Sequence, residues 1–352
     1  MKRKIRRFLP IIIALWFLSF VISIKIGIIL LLAGVLVSAL ILLFFLLNKR
    51  LKETNWWKNQ YIGTTQFVTG VGYRQNIIRN YDIVNLGSNP ARFAFFYEDV
   101  KGQSWATGSQ GQDMDFEILK FYHSYLKEGG VVLIPIMPFT AISPYLKERN
   151  DYWGLSYYSK FAKILNREQI RLQPFGDKVY KYLQYPLFYN KKAIRYLLSD
   201  VSSDSRYHIS EQPLMKMELE FDANNWINNW REEFHLKTLM DVKDVKWRKY
   251  YDAAVEINKN IVEFCLQREL RPVFVCVPMT KHLSSLFPQE FCDYMITDFI
   301  KKINVHNIPF LDYTKDARFI QDEYYMNSFF LNLKGRKLFT KQVVADLNSY
   351  LK

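Results

Sequence analysis

An almost uninterrupted apolar run over residues 8–47 constrains this 352-residue chain more than any other feature. At 1.5 Å per residue, one helix of that length would measure about 60 Å, twice the ~30 Å hydrocarbon thickness of a bilayer. The sequence therefore predicts a two-helix transmembrane hairpin with a turn at residues 23–27, where Lys25 extends its amine into the headgroups. The run is too long for a cleavable signal peptide, and no small-residue cleavage site ends it.

Basic residues flank the apolar run on both sides. Residues 1–7 form a basic N-terminal tail with five Lys or Arg, and residues 48–52 contain three. Positive charge marks the cytoplasmic flanks of membrane spans. Two spans therefore predict a cytoplasmic domain after the hairpin, whereas one span predicts an extracytoplasmic domain.

The net charge of +14 is concentrated near the apolar run. Ten Lys or Arg and one Glu lie within the first 60 residues, which leaves a net +5 over the remaining 292. Anionic lipid and membrane topology account for this excess, so the lipid bilayer is the expected partner and nucleic acid is not. Three cysteines, Cys265, Cys276 and Cys292, form no metal-type pair, and their odd number suits no disulfide framework.

Residues 48–352 alternate buried strands with amphipathic helices. Strands are predicted at about 81–86, 131–136, 272–278 and 308–312, and helices at about 113–128, 247–268, 290–302 and 333–351. Residues 142–244 are less regular and are interpreted as helices and loops inserted into this framework. The alternation predicts an α/β domain, a three-layer α/β/α sandwich with a mostly parallel sheet.

The first predicted strand ends abruptly at Gly87 and Ser88. Glycine permits a tight turn, Asn89 suits an N-cap, and Pro90 suits the first position of a helix. Such a turn displays Ser88 at the carboxyl edge of the sheet, where open α/β folds bind their ligands. The alternative is that Ser88 only caps the turn.

Two blocks at opposite ends of this domain resemble the SGNH (GDSL-like) hydrolases. The Leu86-Gly87-Ser88 turn is similar to their nucleophile block, and residues 327–340 are similar to their last block. Membrane-anchored members of this superfamily act in bacterial cell-wall and exopolysaccharide pathways. The resemblance implies an SGNH/flavodoxin-like fold, a bacterial plasma (inner) membrane location, and a polysaccharide or a polysaccharide-biosynthesis enzyme as partner.

The same resemblance implies roles for residues around Ser88. The serine would be the nucleophile, and Gly108 or Gly111, in the loop before the first long helix, would provide the oxyanion site. Asn332 matches an asparagine of the last block and is a further binding candidate.

The last block departs from the family at the two positions that carry general-base catalysis. Where the family has an aspartate and, three residues later, a histidine, this chain has Asn327 and Phe330. A serine hydroxyl is a poor nucleophile until a base takes its proton, and phenylalanine accepts none. The sequence therefore predicts a catalytically degenerate, membrane-anchored protein of surface-polysaccharide or cell-wall biosynthesis that acts by binding or assembly.

Two other functions stay open. An active acyl esterase or O-acyltransferase would use Ser88 with a non-standard base, for which His282 is the candidate because it follows the strand at 272–278. The second alternative is a structural membrane protein without a glycan role. Asp113 and Asp115 are interpreted as helix caps or solvated side chains, and no metal or cofactor is expected.

Overall fold

The computed structural model describes residues 2–58, 66–68, 74–76, 79–106, 108, 110–148, 155, 158–159, 161–162, 164–172, 176–199 and 215–350. The chain divides into two compact units. One unit consists of Met1–Thr54 and Gln184–Ser199, and the other of Asn55–Leu183 and Asp200–Lys352. The first unit thus includes a piece of the region that the sequence assigned to the inserted helices, here named the returning segment (Gln184–Ser199).

One continuous helix, α1 (Lys2–Glu53), contains the basic tail and the whole apolar run. The predicted turn at residues 23–27 is therefore wrong, since these residues are helical. A single glycine in a helix interior costs only about 1 kcal/mol, and Gly27 is flanked by residues that continue the helix. The helix measures about 78 Å at 1.5 Å per residue. It is long and apolar enough to cross a membrane.

The remaining helices are shorter, and most lie in the second unit. They are α2 (Asn55–Lys58), α3 (Asn89–Arg92), α4 (Gln112–Tyr122), α5 (Arg167–Arg171), α6 (Gly176–Gln184), α7 (Pro186–Tyr189), α8 (Arg195–Leu198), α9 (Lys216–Glu233), α10 (Val245–Leu266), α11 (Lys281–Ser284), α12 (Gln289–Cys292), α13 (Asp298–Ile303) and α14 (Leu333–Tyr350). A π-helical turn, Asp293–Thr297, joins α12 to α13. The described part of residues 142–244 is helical or irregular.

A five-stranded, all-parallel sheet organises the second unit, which confirms the predicted α/β class. Its strands are β3 (Tyr81–Asn85), β4 (Gly102–Ser104), β5 (Leu126–Pro135), β6 (Arg271–Cys276) and β7 (Phe310–Asp312), in the order β4-β3-β5-β6-β7. A separate antiparallel pair is formed by β1 (Gln66–Val68) and β2 (Arg74–Asn76). The sequence did not predict β1, β2 or β4, each of which has only three residues.

Helix α4 ends earlier than its sequence pattern predicts. It stops at Tyr122, a 3₁₀ turn follows, and β5 begins at Leu126, which pairs with Tyr81 of β3. Gly129, predicted to lie just beyond the helix, lies inside β5 with a φ of 68°. Its amide donates to the Glu269 carbonyl at 3.0 Å. Pairing within the sheet therefore overrides the local helical pattern.

The core of the second unit contains the last helix and two buried thiols. Phe339 and Val343 of α14 lie in one hydrophobic cluster with Leu133 of β5. Cys265 and Cys276 are free and buried. Burial raises the pKa of the Cys265 thiol to about 12 and raises the pKa of the Cys276 thiol as well.

Candidate functional site

A cavity of about 280 Å³ opens where the chain leaves the carboxyl ends of β3 and β5. Residues 87–90 follow β3 and form one side, and residues 137–140 follow β5 and form another. Helices α4 and α9 supply further lining residues. The carboxyl edge of a parallel sheet is where open α/β folds bind ligands, so the cavity is the candidate site.

Ser88 lines this cavity, as the sequence predicts. It is half-buried and stands at the N-cap position of α3, but its side chain makes no capping hydrogen bond. The first turn of α3 is closed instead by the Arg92 amide, which donates to the Ser88 carbonyl at 2.9 Å. Ser88 thus caps the turn through its backbone carbonyl, and its hydroxyl is not the capping group.

Gly87 fixes the turn that presents Ser88. Its φ of 108° lies in the region that side chains disfavour. A Cβ atom here would lie 2.9 Å from Cβ of Ala91 and 3.0 Å from Cγ of Pro135. The Gly87 amide donates to Oδ1 of Asp115 at 2.7 Å. Backbone conformation and packing thus both require glycine at this position, and its buried amide joins the turn to α4.

Asp115 is the site residue that the sequence interpretation missed. Its side chain lines the cavity and is only 3% exposed, so the prediction of a cap or a solvated side chain is wrong. Besides the Gly87 amide, it accepts a short hydrogen bond from the Gln110 amide nitrogen. Desolvation by burial raises the pKa of Asp115 to about 7, although both hydrogen bonds lower it. The neighbouring Asp113 instead pairs with Lys147 at 3.2 Å.

A signal for the burial of Asp115 was present in the sequence. Asp115 precedes Leu119 by four residues and Tyr122 by seven, so it shares their face of α4. Both of those residues are large and hydrophobic, and both are buried.

Six of the described lining residues of the cavity are aromatic and are named here the aromatic wall. It consists of Phe139, Trp226, Trp230, Phe234, Phe329 and Phe330. Ring centroids of Trp226 and Phe330 are 5.3 Å apart, and those of Trp230 and Phe329 are also 5.3 Å apart. The described lining residues include the carboxyl groups of Asp115 and Glu233 but no Lys, Arg or His.

The two degenerate positions have structural roles. The Phe330 ring belongs to the aromatic wall and stacks on Phe93 with centroids 5.0 Å apart. Oδ1 of Asn327 accepts from the amides of Phe329 at 2.9 Å and Phe330 at 2.7 Å. Asn327 thus holds the turn that carries the aromatic rings, a role that requires no ionisable group.

The predicted glycines lie beside the cavity and are not among its described lining residues. A Cβ atom on Gly108 would lie 3.1 Å from Oδ1 of Asn89, which does line the cavity. The Gly111 carbonyl accepts from the amides of Met114 and Asp115 at 3.0 Å each and so begins α4. Gly108 therefore lies against the Ser88 turn, whereas Gly111 begins α4.

Asn332 and His282 lie outside the described lining of the cavity. Asn332 is buried, and its side chain donates to the Glu323 carbonyl at 2.7 Å and accepts from the Gly335 amide at 3.0 Å. Nε2 of His282 lies 3.0 Å from Oδ2 of Asp322. The structure thus places Ser88 and Phe330 in one cavity, whereas Asn332 and His282 serve other contacts.

No protein-family model matches the chain, and no curated protein sequence matches it. The inference of a function therefore rests on the cavity.

Proposed function

We propose that this is a membrane-anchored, SGNH-like protein of bacterial surface-polysaccharide or cell-wall biosynthesis that binds a saccharide without hydrolysing it. The observation that carries the proposal is the position of Phe330. Its ring lines the same cavity as Ser88, at the sequence position where the resemblance implies a catalytic histidine. An aromatic ring cannot take the serine proton, but it adds apolar surface for a ligand.

The two sides of the cavity suit a sugar ring. A pyranose has apolar C–H faces and a rim of hydroxyl groups. The aromatic wall offers flat apolar surface, and Ser88, Gln112 and Asp115 offer hydrogen-bonding groups. A mostly apolar lining with a few polar groups is the usual composition of a small-ligand site.

The charge of the cavity narrows the class of saccharide. Two carboxyl groups and no basic side chain occur among its described lining residues. Among the described lining residues, an anionic sugar, such as a uronic acid or a sugar phosphate, would meet two carboxyl groups and no cationic partner, which is unfavourable. A neutral sugar or an amino sugar meets no such penalty. We therefore propose a neutral or cationic glycan as the ligand.

The proposal also includes the arrangement of the domain in layers. Leu133 and Val273 pack in one cluster with α14. Val132 and Phe274, which are their immediate neighbours in β5 and β6 and point to the opposite face, are also buried. Burial on both faces supports a three-layer, SGNH/flavodoxin-like sandwich.

The Trp226→Ala variant tests saccharide binding. We expect it to weaken binding of a cello-oligosaccharide or a chitosan oligosaccharide by about tenfold or more, because an aromatic side chain dominates such contacts. Tryptophan fluorescence titration of the full-length protein in detergent measures the affinity. Phe221→Ala is the matched control: Phe221 is an aromatic residue of the same helix, is 70% exposed, and lies outside the described lining. It should bind like the wild type.

Other results of this titration would contradict the proposal. Equal affinity of Trp226→Ala and the wild type would show that the aromatic wall is not part of the binding site. Binding of oligogalacturonate in preference to the neutral and cationic probes would contradict the charge argument.

Esterase or acyltransferase activity is the second candidate, and Asp115 is the observation that favours it. A carboxyl group with a pKa of about 7 can exchange a proton near neutral pH, and it lines the same cavity as Ser88. Hydrolysis of p-nitrophenyl acetate separates the two functions. Turnover lost in Ser88→Ala and in Asp115→Asn would establish catalysis, whereas equal background rates in all three proteins support binding alone.

We further propose that the domain lies on the extracytoplasmic side of the membrane. A single continuous helix and the larger number of basic residues in the N-terminal flank support this orientation. Alkaline phosphatase requires disulfides and is active only outside the cytoplasm. We expect a fusion after Lys352 to be active, and the same fusion lacking residues 1–47 to be inactive. An inactive full-length fusion would place the domain in the cytoplasm.

A further inference from the structure

The returning segment is attached to the C-terminal end of α1 by polar and aromatic contacts. The Leu187 amide donates to Oδ1 of Asn48 at 3.0 Å. The Asn48 side chain, itself buried, donates to the Phe44 carbonyl at 2.8 Å. The ring of Tyr185 lies 5.5 Å from that of Phe45. These contacts place the segment beside the last apolar turns of a helix that is suited to a bilayer.

The outer side of the returning segment is apolar and basic. Phe188 is 68% exposed, Leu198 is 92% exposed, and Ile194 is also exposed. The segment contains three basic residues and no acidic one. The basic residues are Lys191, Lys192 and Arg195. Large exposed apolar side chains among basic residues are unfavourable in water but are typical of segments that lie in a membrane interface.

We infer that the returning segment lies in the headgroup region of the bilayer and binds an anionic phospholipid surface. Its apolar side chains enter the upper acyl region, and its Lys and Arg side chains reach the lipid phosphates. The lipid surface is the occupant because the segment contacts the last apolar turns of α1, and its charge is complementary to anionic headgroups. This inference is independent of what the cavity binds.

Depth-dependent quenching tests this location in the full-length protein. Leu198→Cys, in a Cys292→Ser background that leaves only the two buried thiols, is labelled with the fluorophore NBD and reconstituted into phosphatidylcholine–phosphatidylglycerol vesicles. The vesicles carry bromine either near the headgroup end of the acyl chain or near its methyl end. We expect the label to lose about half of its fluorescence or more with the shallow bromines and less with the deep ones. Leu172→Cys, an exposed leucine of the other unit, is the matched control and should keep its fluorescence.

Two outcomes would overturn the inference. An NBD label at position 198 that is not quenched would place the segment in water or against another protein. Equal quenching at positions 198 and 172 would mean that the membrane contact does not belong to this segment. A second variant, with Lys191, Lys192 and Arg195 all changed to Ala, should reduce the quenching at position 198 in anionic vesicles. Unchanged quenching would contradict the electrostatic part of the inference.

Discussion

Asp115→Asn is expected to make the protein more stable than the wild type at pH 8, by about 2–4 kcal/mol. Burial raises the pKa of Asp115 from 3.8 to about 7, so the folded state binds its proton more tightly than the unfolded state does. The contribution of Asp115 to the stability of the wild type is therefore greatest below about pH 4, falls as the pH rises toward 7, and is level above it. An amide carries no charge to desolvate and still accepts the hydrogen bond from the Gly87 amide.

Chemical denaturation of both proteins across pH 4–8 measures this difference. Asp113→Asn is the matched control because it removes a carboxyl group from the same turn of α4. It also breaks an ion pair with Lys147, so it should be neutral or destabilising by up to about 1 kcal/mol. If wild type and Asp115→Asn have parallel stability profiles, Asp115 is not the group that titrates. Because the buried carboxyl group of Asp115 destabilises the folded state, its presence indicates that it has a function at the cavity.

Gly87→Ala is expected to lower the free energy of unfolding by about 3 kcal/mol or more. Part of the loss, about 1–2 kcal/mol, is backbone strain at a φ of 108°. The rest comes from the added Cβ, which would overlap Ala91 at 2.9 Å and Pro135 at 3.0 Å. Gly129→Ala separates the two effects, since its φ is 68° but its nearest neighbour, Arg271, lies 3.7 Å away. The control should lose only about 1 kcal/mol, and equal losses at both positions would contradict the packing argument.

Local patterns in the sequence predicted much of the fold and one side of the site. The apolar strands and amphipathic helices specify the α/β class, and the parallel sheet follows from their alternation. The Gly87–Ser88 turn was predictable because glycine and proline restrict the backbone within a few residues. The length of α1 was not predictable from bilayer thickness, because that thickness is not a property of the chain. In addition, nothing within residues 23–27 ends a helix.

The rest of the site depends on contacts between distant residues. Asp115 becomes buried because the Gly87 amide, 28 residues earlier, reaches its carboxylate. The aromatic wall combines rings from α9 with Phe329 and Phe330, about 100 residues later in the chain. His282 pairs with Asp322 and so belongs to another contact. Such pairings arise from tertiary packing, which the periodicity and spacing of residues in the sequence do not predict.

The buried thiols decide how the domain tolerates an oxidising compartment. Disulfide formation and thiol oxidation both proceed through the thiolate. With a pKa of about 12, Cys265 at pH 7 is a thiolate on the order of 10⁻⁵ of the time, and Cys276 is shielded in the same way. After folding, neither sulfur offers a reactive partner to an oxidant. A domain translocated across the membrane would therefore keep Cys265 and Cys276 reduced once it is folded.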